Sequence, residues 1–450
     1  MKIIVCAKII KGEINPFDAS ALECALRLSS DVTVVSMAPP SAMGELTRLT
    51  RLGAKVIAVT DNAFAGSDTL ATSYVLSSVI KKLPYDLIFC GRQTIDGDTA
   101  QVGPCLATML NITPITNVME ICSVTDEIKC NTRMGEESHP LPALLTVERI
   151  CELRFPGLFS KPGEVEVWDN SKVGADLSKC GLNGSPTKVL QTFENAKGKR
   201  KCRFIEKSEL DGLIKELRTK DKATKIIPVS EKKLKSVWAI GHEVENEAKA
   251  ISEEVIFIDE KDPIKIAEMA KEQKPEVILW NADLWGRKNA PIVSALLNTG
   301  LCADCTALET DGEKLYMYRP AAGGNIIAKI ECKTFPQMAT VRTVSDYTDI
   351  IVSGGKGVAE HIDKLKEFAD KYNADLCASR GLVDMGKMPY NTQVGLTGKT
   401  VSPKIYIAVG ISGAVHHTCA IENADTVIAI NPDKDARIFE YADYGIIDKF

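Results

Sequence analysis

Continuous apolar runs followed by amphipathic stretches recur along the chain, and this alternation constrains its fold more than any other feature. DVTVVSM precedes SAMGELTRLTRLG, KVIAVTD precedes TLATSYVLSSVIKKL, and DLIFCG precedes DTAQVGPCLATML. Apolar strands without polar alternation belong in sheets that are buried on both faces, where the intervening helices cover them. The sequence therefore predicts an α/β protein built on parallel sheets.

The chain also resembles itself. Residues 86–106 align without a gap to residues 276–296, and LPALLTVER at 141–149 echoes FPQMATVRT at 335–343. A strand-like stretch with an acidic turn precedes the second match in both copies. Segments that share strand, loop, helix and later strand in one order are expected to share a fold. We therefore predict two related doubly wound domains of the nucleotide-binding type.

Composition shifts divide the chain further. GSPTKVLQTFENAKGKRKCRF is polar and basic, and the helical stretch after it completes what we interpret as an arm and linker. Strand–helix alternation resumes near the C-terminus, with glycine and serine at the strand ends. The predicted units are a first α/β domain at 1–184, the arm and linker at 185–225, a second α/β domain at 226–345 and a third unit at 346–450.

Charge and cysteine content exclude several classes of function. A net charge of −5 over 450 residues gives no electrostatic footprint for nucleic acid, and no apolar stretch is long enough for membrane insertion. Most of the 14 cysteines lie in apolar runs, as thiols do in a reducing compartment. Cys302 and Cys305 form the one close pair, so we predict no metal site and a cytoplasmic protein.

Polar groups follow the strands of the third unit, where open parallel sheets bind their ligands. Gly354, Gly355 and Gly357 surround Lys356 between a strand and a helix. Unobstructed N–H groups beside a cation would form a phosphate cradle there. The alternative is that these glycines serve only the backbone conformation of a strand–helix turn. Later strand ends carry Ser379 and Arg380, the loop 393–399, Ser412 with His416 and His417, and then Asn431 and Asp443.

These motifs together resemble a known family. SGGKG, ASRGLVD, QVGLTGK, KIYIAVGISGAVHH, AINPD and ADYGI resemble, in order and spacing, the FAD domain of the electron transfer flavoprotein alpha subunit. GLCADCTAL, YRPAAGGNIIAKI and PQMATVR resemble that subunit's first domain. NPFDASALE, AFAGSDTLATSYVL and GRQTIDGDTAQVGP resemble the beta subunit. The resemblance implies a beta–alpha fusion with a C-terminal Rossmann-like FAD domain.

The resemblance assigns roles at the flavin ring. Arg380 is implied to face the isoalloxazine as a cation, and Thr397 to donate to its N5 edge. His417 is implied to lie near the C2 carbonyl as a cation or donor. Two residues depart from the family pattern, because Lys356 replaces a frequent arginine and Leu396 replaces a usual glutamine.

The implied FAD contacts extend over the whole third unit. Ser379 and Ser412 would bind the ring or the phosphates, and Asn431 and Asp443 the adenosine end. The full set comprises Gly354, Gly355, Lys356, Gly357, Ser379, Arg380, Gln393, Val394, Gly395, Thr397, Gly398, Gly410, Ser412, Gly413, Ala414, His417, Asn431 and Asp443.

A second nucleotide site is implied in the N-terminal domain. Thr99, Gln101 and the Gly103 N–H are expected to donate to phosphate at a helix start. Asp96 and Asp98 would repel phosphate, so we assign them to ribose, metal or capping. The set comprises Ala7, Asn15, Asp61, Asp96, Gly97, Asp98, Thr99, Gln101, Val102 and Gly103.

The occupant of this second site stays open between AMP and a second FAD. GRQTIDGDTAQVGP and GSPTKVL look closer to family members that hold a second FAD and oxidise NADH. The short loop between Lys11 and Asn15 argues the other way. The sequence favours the second FAD and, with it, possible electron bifurcation.

Partners follow from the same resemblance. A dehydrogenase such as acyl-CoA dehydrogenase, or NADH, is implied as donor, and ferredoxin or a quinone oxidoreductase as acceptor. The loop 153–159 is expected either to dock a partner or to be a buried return of the chain, and a hinge is expected near 343–348. A nucleotide-binding regulatory or scaffold protein without redox function is the alternative.

Overall fold

The computed structural model describes residues 1–194, 200–219, 230–321, 326–343 and 349–450. They form two compact units. The first comprises 1–191, 229–322 and 328–341, and the second comprises 192–228, 323–327 and 342–450. The predicted domain boundaries at 225/226 and 345/346, and hinge residues 344–348, lie outside the described residues, so the four-part division stays a prediction.

The strands are numbered along the chain. They are β1 (Lys2–Cys6), β2 (Ile9–Ile10), β3 (Glu13–Ile14), β4 (Asp31–Met37), β5 (Lys55–Val59), β6 (Leu87–Gly91), β7 (Thr113–Val124), β8 (Glu127–Thr132), β9 (Gly135–Pro140), β10 (Ala143–Val147), β11 (Val165–Trp168), β12 (Thr187–Glu194), β13 (Arg203–Phe204), β14 (Leu234–Ile240), β15 (Ser252–Ile258), β16 (Val277–Asn281), β17 (Leu301–Cys305), β18 (Ala307–Thr310), β19 (Leu315–Ala321), β20 (Ile326–Cys332), β21 (Gln337–Val341), β22 (Ile350–Gly354), β23 (Asp375–Ser379), β24 (Gln393–Val394), β25 (Ile405–Val409), β26 (Thr426–Ile430) and β27 (Tyr444–Ile446).

The α-helices are numbered in the same way. They are α1 (Pro16–Leu28), α2 (Met43–Thr50), α3 (Thr69–Ile80), α4 (Val102–Leu110), α5 (Asn170–Val173), α6 (Gly181–Gly184), α7 (Leu210–Thr219), α8 (Glu245–Ile251), α9 (Pro263–Gln273), α10 (Leu284–Leu297), α11 (Ile362–Lys371), α12 (Arg380–Asp384) and α13 (Val415–Thr418).

The N-terminal sheet has the order β11-β5-β4-β1-β6-β10-β7-β8-β9. Its strands run parallel from β11 to β7, and β8 and β9 extend it as antiparallel strands. Side chains from both faces of the central strands are buried, with Ile3 and Val5 in one apolar cluster and Ile4 and Cys6 in another. Helices therefore cover both faces, as the continuous apolar runs predicted.

The second sheet of the same unit repeats this arrangement. Its order is β15-β14-β16-β21-β17, which matches β4-β1-β6-β10-β7 strand for strand. Leu87 pairs with Ala143 in the first sheet, and Val277 pairs with Gln337 in the second. These are the residues that the two sequence alignments made equivalent. The prediction of two related α/β domains is confirmed.

The second unit contains a parallel seven-stranded sheet with the order β13-β27-β26-β25-β22-β23-β24. Part of the segment predicted as arm and linker belongs to it, since β13 pairs with β27. Helix α7 buries Leu210, Ile214 and Leu217 in the core of this unit. The predicted Rossmann-like fold is therefore present, with an edge strand and a helix from the preceding segment.

None of the helices in the described ranges is long and apolar enough to cross a membrane.

Candidate functional site

The carboxyl edge of the seven-stranded sheet gathers most of the residues predicted for the cofactor. Parallel strands β22, β23, β25 and β26 all end there. The strand ends and the segments directly after them carry Gly354, Gly355, Lys356 and Gly357, then Ser379 and Arg380, then Gly410, Ser412, Gly413 and Ala414, and finally Asn431. Strand β24 and its turn add Gln393, Val394, Gly395, Thr397 and Gly398.

The glycine loop after β22 packs against the end of β25. The N–H of Gly355 donates to the Val409 carbonyl at 2.8 Å, and that of Gly357 to the Gly410 carbonyl at 3.1 Å. A Cβ on Gly355 would lie 2.1 Å from the Gly410 oxygen. The prediction of a phosphate cradle is therefore wrong for these two N–H groups, because the protein already uses them.

The turn after β25 offers donors instead. Within the described residues, the N–H groups of Ser412, Gly413 and Ala414 and the Ser412 hydroxyl have no protein acceptor. Gly410 and Gly413 adopt φ values of 62° and 84°, which side chains disfavour. Consecutive N–H groups in a turn of this kind form an anion-binding concavity. This turn is the better candidate for a pyrophosphate.

Two cationic side chains stand at neighbouring strand ends. Arg380 begins α12, and its Nε donates to Asp384 Oδ2 at 3.1 Å. The Lys356 side chain crosses Gly381, where an added Cβ would approach Lys356 Cε to 2.6 Å. In the described chain, the half-buried Ser379 hydroxyl beside them has no protein partner. The edge therefore presents positive charge and an available hydroxyl.

The Thr397 hydroxyl is oriented by a buried amide. Gln393 Nε2 donates to Thr397 Oγ1 at 2.7 Å, and both side chains are buried. The turn around them is closed by N–H bonds from Gly395 to Lys399 O and from Gly398 to Gly395 O. Because Oγ1 accepts from Gln393, the hydroxyl proton is directed elsewhere. Thr397 can therefore act as a donor, as the resemblance implies.

His417 is buried between two protein partners. Its Nδ1 lies 3.0 Å from the Val394 carbonyl, which can only accept, so Nδ1 carries the proton. Nε2 lies 2.9 Å from the Tyr406 hydroxyl and therefore accepts from it. Burial lowers the pKa of His417 to about 4. The lowered pKa favours a neutral ring near pH 7, which does not support the cation among the two implied roles, cation or donor.

Asn431 uses both ends of its amide within the protein. Its Nδ2 donates to the Ile411 carbonyl at 2.9 Å, and its Oδ1 accepts from the Asp433 N–H at 2.9 Å. It therefore braces the turn that contains Ser412. A direct adenosine contact from this amide would need one of those bonds to be shared.

Asp443 is not brought to this edge. It immediately precedes β27, which runs parallel to β26, so it lies at the opposite end of the sheet. Its carboxylate accepts from the Val427 N–H at 2.8 Å and pairs with Arg200. The structure therefore corrects its predicted adenosine contact to a structural role.

The N-terminal candidate site also lies at a carboxyl edge. Ala7 follows β1, Asp61 follows β5, and most of the remaining residues lie between β6 and the first turn of α4. That loop contains Asp96, Gly97, Asp98 and Thr99, and Gln101, Val102 and Gly103 lead into or begin α4. Asn15 lies beneath it, with Nδ2 donating to Gln93 O at 2.9 Å.

Several of these side chains are engaged within the protein. Gln101 accepts from Thr69 Oγ1 at 2.8 Å and donates to the Leu301 carbonyl at 3.2 Å, so its predicted donation to phosphate is not supported. Asp61 accepts from the N–H groups of Ala63 and Asn170, at 2.9 and 3.0 Å. Hydrogen bonds that cap a turn or connect neighbouring segments therefore account for Gln101 and Asp61.

Donors nevertheless remain at the start of α4. Within the described residues, the Thr99 hydroxyl and the N–H groups of Thr99, Ala100 and Gln101 have no protein acceptor. Asp98 is turned toward Gln93, whose Nε2 donates to it at 2.9 Å. Asp96 pairs with Lys8 at 2.7 Å. Neither carboxylate blocks the helix start, which remains suited to a phosphate.

Sequence reasoning missed four residues around these sites. Tyr406 orients His417, and Arg342 donates to the Leu396 carbonyl. Arg200 pairs with Asp443, and Arg319 of the second sheet's domain donates to the Asp98 carbonyl at 3.2 Å. Tyr406 carried a signal, since a tyrosine inside an apolar strand needs a polar partner.

The loop 153–159 presents a large apolar surface. Phe155, Leu158 and Phe159 are 92%, 92% and 96% exposed. The alternative that this segment is a buried return of the chain is therefore wrong. Three neighbouring exposed apolar side chains are typical of a protein-docking surface.

Parallel sheets with donor-lined carboxyl edges define the class of nucleotide-binding α/β proteins. The electron transfer flavoprotein domain matches residues 3–173 and 264–360, and the electron transfer flavoprotein FAD-binding domain matches residues 346–422. The chain belongs to the electron transfer flavoprotein family and carries a FAD-binding domain toward its C-terminus.

Curated relatives of both subunit types each align with less than half of the chain. The electron transfer flavoprotein subunit alpha of Thermoanaerobacterium thermosaccharolyticum is 38% identical, over 46% of this chain and 81% of that protein. The electron transfer flavoprotein subunit beta of Clostridium acetobutylicum is 43% identical, over 40% of this chain and 74% of its own length. Protein FixA of Azotobacter vinelandii is 42% identical, over 44% of this chain and 78% of its own length.

Proposed function

We propose that this chain is a fused beta–alpha electron transfer flavoprotein that carries electrons between a dehydrogenase, or NADH, and a downstream redox acceptor. The observation that carries this proposal is the carboxyl edge of the seven-stranded sheet, where Thr397, Ser379 and the Ser412 turn offer donors beside Arg380. Relatives of both subunit types support the fusion.

The residues at this edge fit FAD by chemistry. The turn Ser412–Ala414 would hold the pyrophosphate through three N–H groups and a hydroxyl. Arg380 and Lys356 supply the positive charge that an anionic ligand needs. FAD bound there would accept and release electrons singly or in pairs.

The polar groups around the ring position would each have a different role. Thr397, held by Gln393, would donate its proton to an acceptor edge of the ring. Arg380 would stabilise negative charge that develops during reduction. Neutral His417 would hold the Val394 carbonyl, and hence the turn that bears Thr397, in place.

For the N-terminal site we propose a nucleotide whose phosphate meets Thr99 and the start of α4. A second FAD is favoured by the motifs GRQTIDGDTAQVGP and GSPTKVL, and AMP is the alternative occupant. A second FAD would allow NADH oxidation and electron bifurcation. The free Thr99 hydroxyl supports a phosphate ligand in either case.

The partners follow from the exposed loop. Leu158 and Phe159 would anchor in a pocket of a dehydrogenase, such as an acyl-CoA dehydrogenase. Ferredoxin or a quinone oxidoreductase is proposed as the acceptor.

Anaerobic flavin bleaching tests this function. The purified protein is mixed with NADH, or with an acyl-CoA dehydrogenase and its substrate, and flavin absorbance is followed. Bleaching by NADH alone supports the second FAD, and bleaching only through the dehydrogenase supports a simple carrier. Bleaching by neither donor, in protein that retains its flavin, overturns the proposal.

A further inference from the structure

Two thiols lie in contact at the root of the exposed loop. The Sγ atoms of Cys24, in α1, and Cys151 are 3.8 Å apart. Cys24 is buried, whereas Cys151 is partly exposed to solvent. A disulfide bond is about 2.05 Å long. Closing the pair therefore requires the two sulfur atoms to approach by roughly 1.8 Å.

One face of α1 holds this root. Ser20 Oγ accepts from the N–H groups of Ile150 and Cys151, at 3.1 and 3.3 Å. Glu23 Oε2 accepts from both the N–H and the Nε of Arg154, at 3.1 and 2.8 Å. Ser20, Glu23 and the thiol of Cys24 are thus three successive attachments on one helix face.

The far side of the loop is attached to α2 and its end. Arg51 Nε donates to the Ser160 carbonyl at 3.0 Å, and the Gly163 N–H donates to Thr50 Oγ1 at 2.8 Å. The apolar tip at Phe155, Leu158 and Phe159 lies between the two attachments. A covalent bond at the root would therefore restrict the tip as well.

Solvent access distinguishes this pair from two other pairs of neighbouring cysteines in the described chain. Cys6 and Cys90 face each other on adjacent strands, and Cys302 and Cys305 share β17, but all four are buried. A soluble oxidant cannot reach them in the folded protein. Cys151, by contrast, is partly exposed to solvent.

We propose that Cys24 and Cys151 form a reversible disulfide that fixes the root of the loop 153–159. A low-molecular-weight disulfide is the oxidant. The Cys151 thiolate attacks one sulfur of the oxidant and releases one thiol, and Cys24 then attacks Cys151 and releases the second. Two protein thiols are oxidised, one disulfide is reduced to two thiols, and the thiol protons pass to solvent and the leaving groups.

The disulfide itself does not depend on the proposed function. Its consequence does, because a fixed root would hold the docking surface in one arrangement and alter the association with a dehydrogenase. Covalent restriction acts by removing alternative conformations of the loop. We expect exchange of the loop amides to slow by about tenfold in the oxidised protein.

Glutathione disulfide and mass spectrometry test the bond. The intact protein is incubated with the oxidant and digested with trypsin without reduction. The expected product is a crosslink between the peptides that contain Cys24 and Cys151, which dithiothreitol reverses. Cys24→Ser and Cys151→Ser must abolish this crosslink, and Cys202→Ser, at another partly exposed thiol, must retain it. Stable glutathione adducts on Cys151 without a crosslink would overturn the proposal.

Hydrogen exchange tests whether the disulfide restricts the loop, and flavin reduction tests whether that restriction alters docking. Oxidised protein should show slower exchange at residues 150–160, and oxidised Cys24→Ser should not. Unchanged exchange in crosslinked protein would overturn the restriction of the loop. If exchange slows but the rate of dehydrogenase-driven flavin reduction stays the same, the restriction stands and the consequence for docking fails. Flavin that no dehydrogenase reduces, in oxidised or reduced protein, would count against the proposed function alone.

Discussion

The Tyr406 hydroxyl lies 2.9 Å from Nε2 of His417, and the opposite ring nitrogen faces the Val394 carbonyl at 3.0 Å. A neutral imidazole satisfies both partners with its single proton on Nδ1. A second proton on Nε2 would face a hydroxyl that must then turn its own proton away. The geometry and the burial thus favour the same protonation state.

The first prediction concerns pH. The folded pKa of His417, about 4, lies below the ordinary value of 6.5, so the unfolded chain binds the proton more readily. Its contribution to stability is therefore fully present above pH 6.5 and is lost as the pH falls toward 4. We expect a loss of up to about 3 kcal/mol in the free energy of unfolding, measured by denaturant unfolding across this window.

Matched variants isolate this effect. His417→Gln should flatten the pH dependence relative to the parent protein, because the titrating ring is gone. His416→Gln, at the exposed neighbouring position, should leave it unchanged. Comparing the variants with the parent cancels the contributions of other titrating groups to the pH dependence of stability. One of these is buried Asp18, whose pKa is raised to about 7 and whose contribution has the opposite sign. Equal profiles for the parent and His417→Gln would refute the assignment.

The second prediction removes the hydroxyl that orients this ring. Tyr406→Phe leaves Nε2 buried without its donor, so the free energy of unfolding should fall by about 1–3 kcal/mol. Nitrogen-15 chemical shifts should show an Nε2 without its hydrogen bond, while the proton stays on Nδ1 opposite the Val394 carbonyl. Tyr444→Phe, at a half-buried position in the same sheet, is the control and should cost little.

The third prediction separates docking from stability. Leu158→Ala and Phe159→Ala remove side chains that are 92% and 96% exposed, so the free energy of unfolding should change by less than about 0.5 kcal/mol. Flavin reduction by the partner dehydrogenase should slow at least about tenfold. Leu182→Ala, also exposed, should not slow it. Equal slowing by all three would show that the loop has no special role.

The fourth prediction concerns the strained loop before α4. Ala100 has φ 56°, a conformation that costs a residue with a Cβ about 1 kcal/mol. Ala100→Gly should therefore stabilise the protein by up to that amount. Ala107→Gly, inside α4, should destabilise it by about 1 kcal/mol. Thermal unfolding distinguishes the two signs, and a destabilising Ala100→Gly would contradict the described loop conformation.

The internal repeat could be predicted from the sequence because its paired strands appear as regular runs of apolar residues. The alignments made Leu87 equivalent to Val277 and Ala143 equivalent to Gln337, and the structure pairs them in that register. Burial on both faces demands apolar residues at successive positions, so the pattern survives in each copy.

A second correspondence between the two repeats could not be predicted from the sequence. The Asn117 N–H donates to Thr146 Oγ1 at 3.0 Å, and the Asp304 N–H donates to Thr340 Oγ1 at 2.8 Å. Both donors have positive φ, 58° and 56°, at equivalent irregularities of the two sheets. Bonds between a side chain and a distant backbone leave no period in the sequence, so only the structure shows that the repeats share this detail.

Local motifs gave wrong site assignments where one residue type can serve either ligand binding or the structure of the protein. Glycine at 355 and 357 suggested a phosphate cradle, but it is needed for contact with the backbone of Gly410. Asp443 follows an apolar stretch, yet it precedes its strand and so lies at the wrong edge of the sheet. Strand direction and hydrogen-bond use decide such cases, and neither is visible in composition or spacing.

Counting the nucleotides released from the purified chain tests the central claim most directly. The protein is denatured, and FAD and AMP are quantified per polypeptide. We predict two FAD and no AMP, with one FAD at the carboxyl edge that carries Arg380, Thr397 and the Ser412 turn. One FAD with one AMP would keep that site and reassign the N-terminal occupant. A colourless protein that takes up no added FAD would contradict the account.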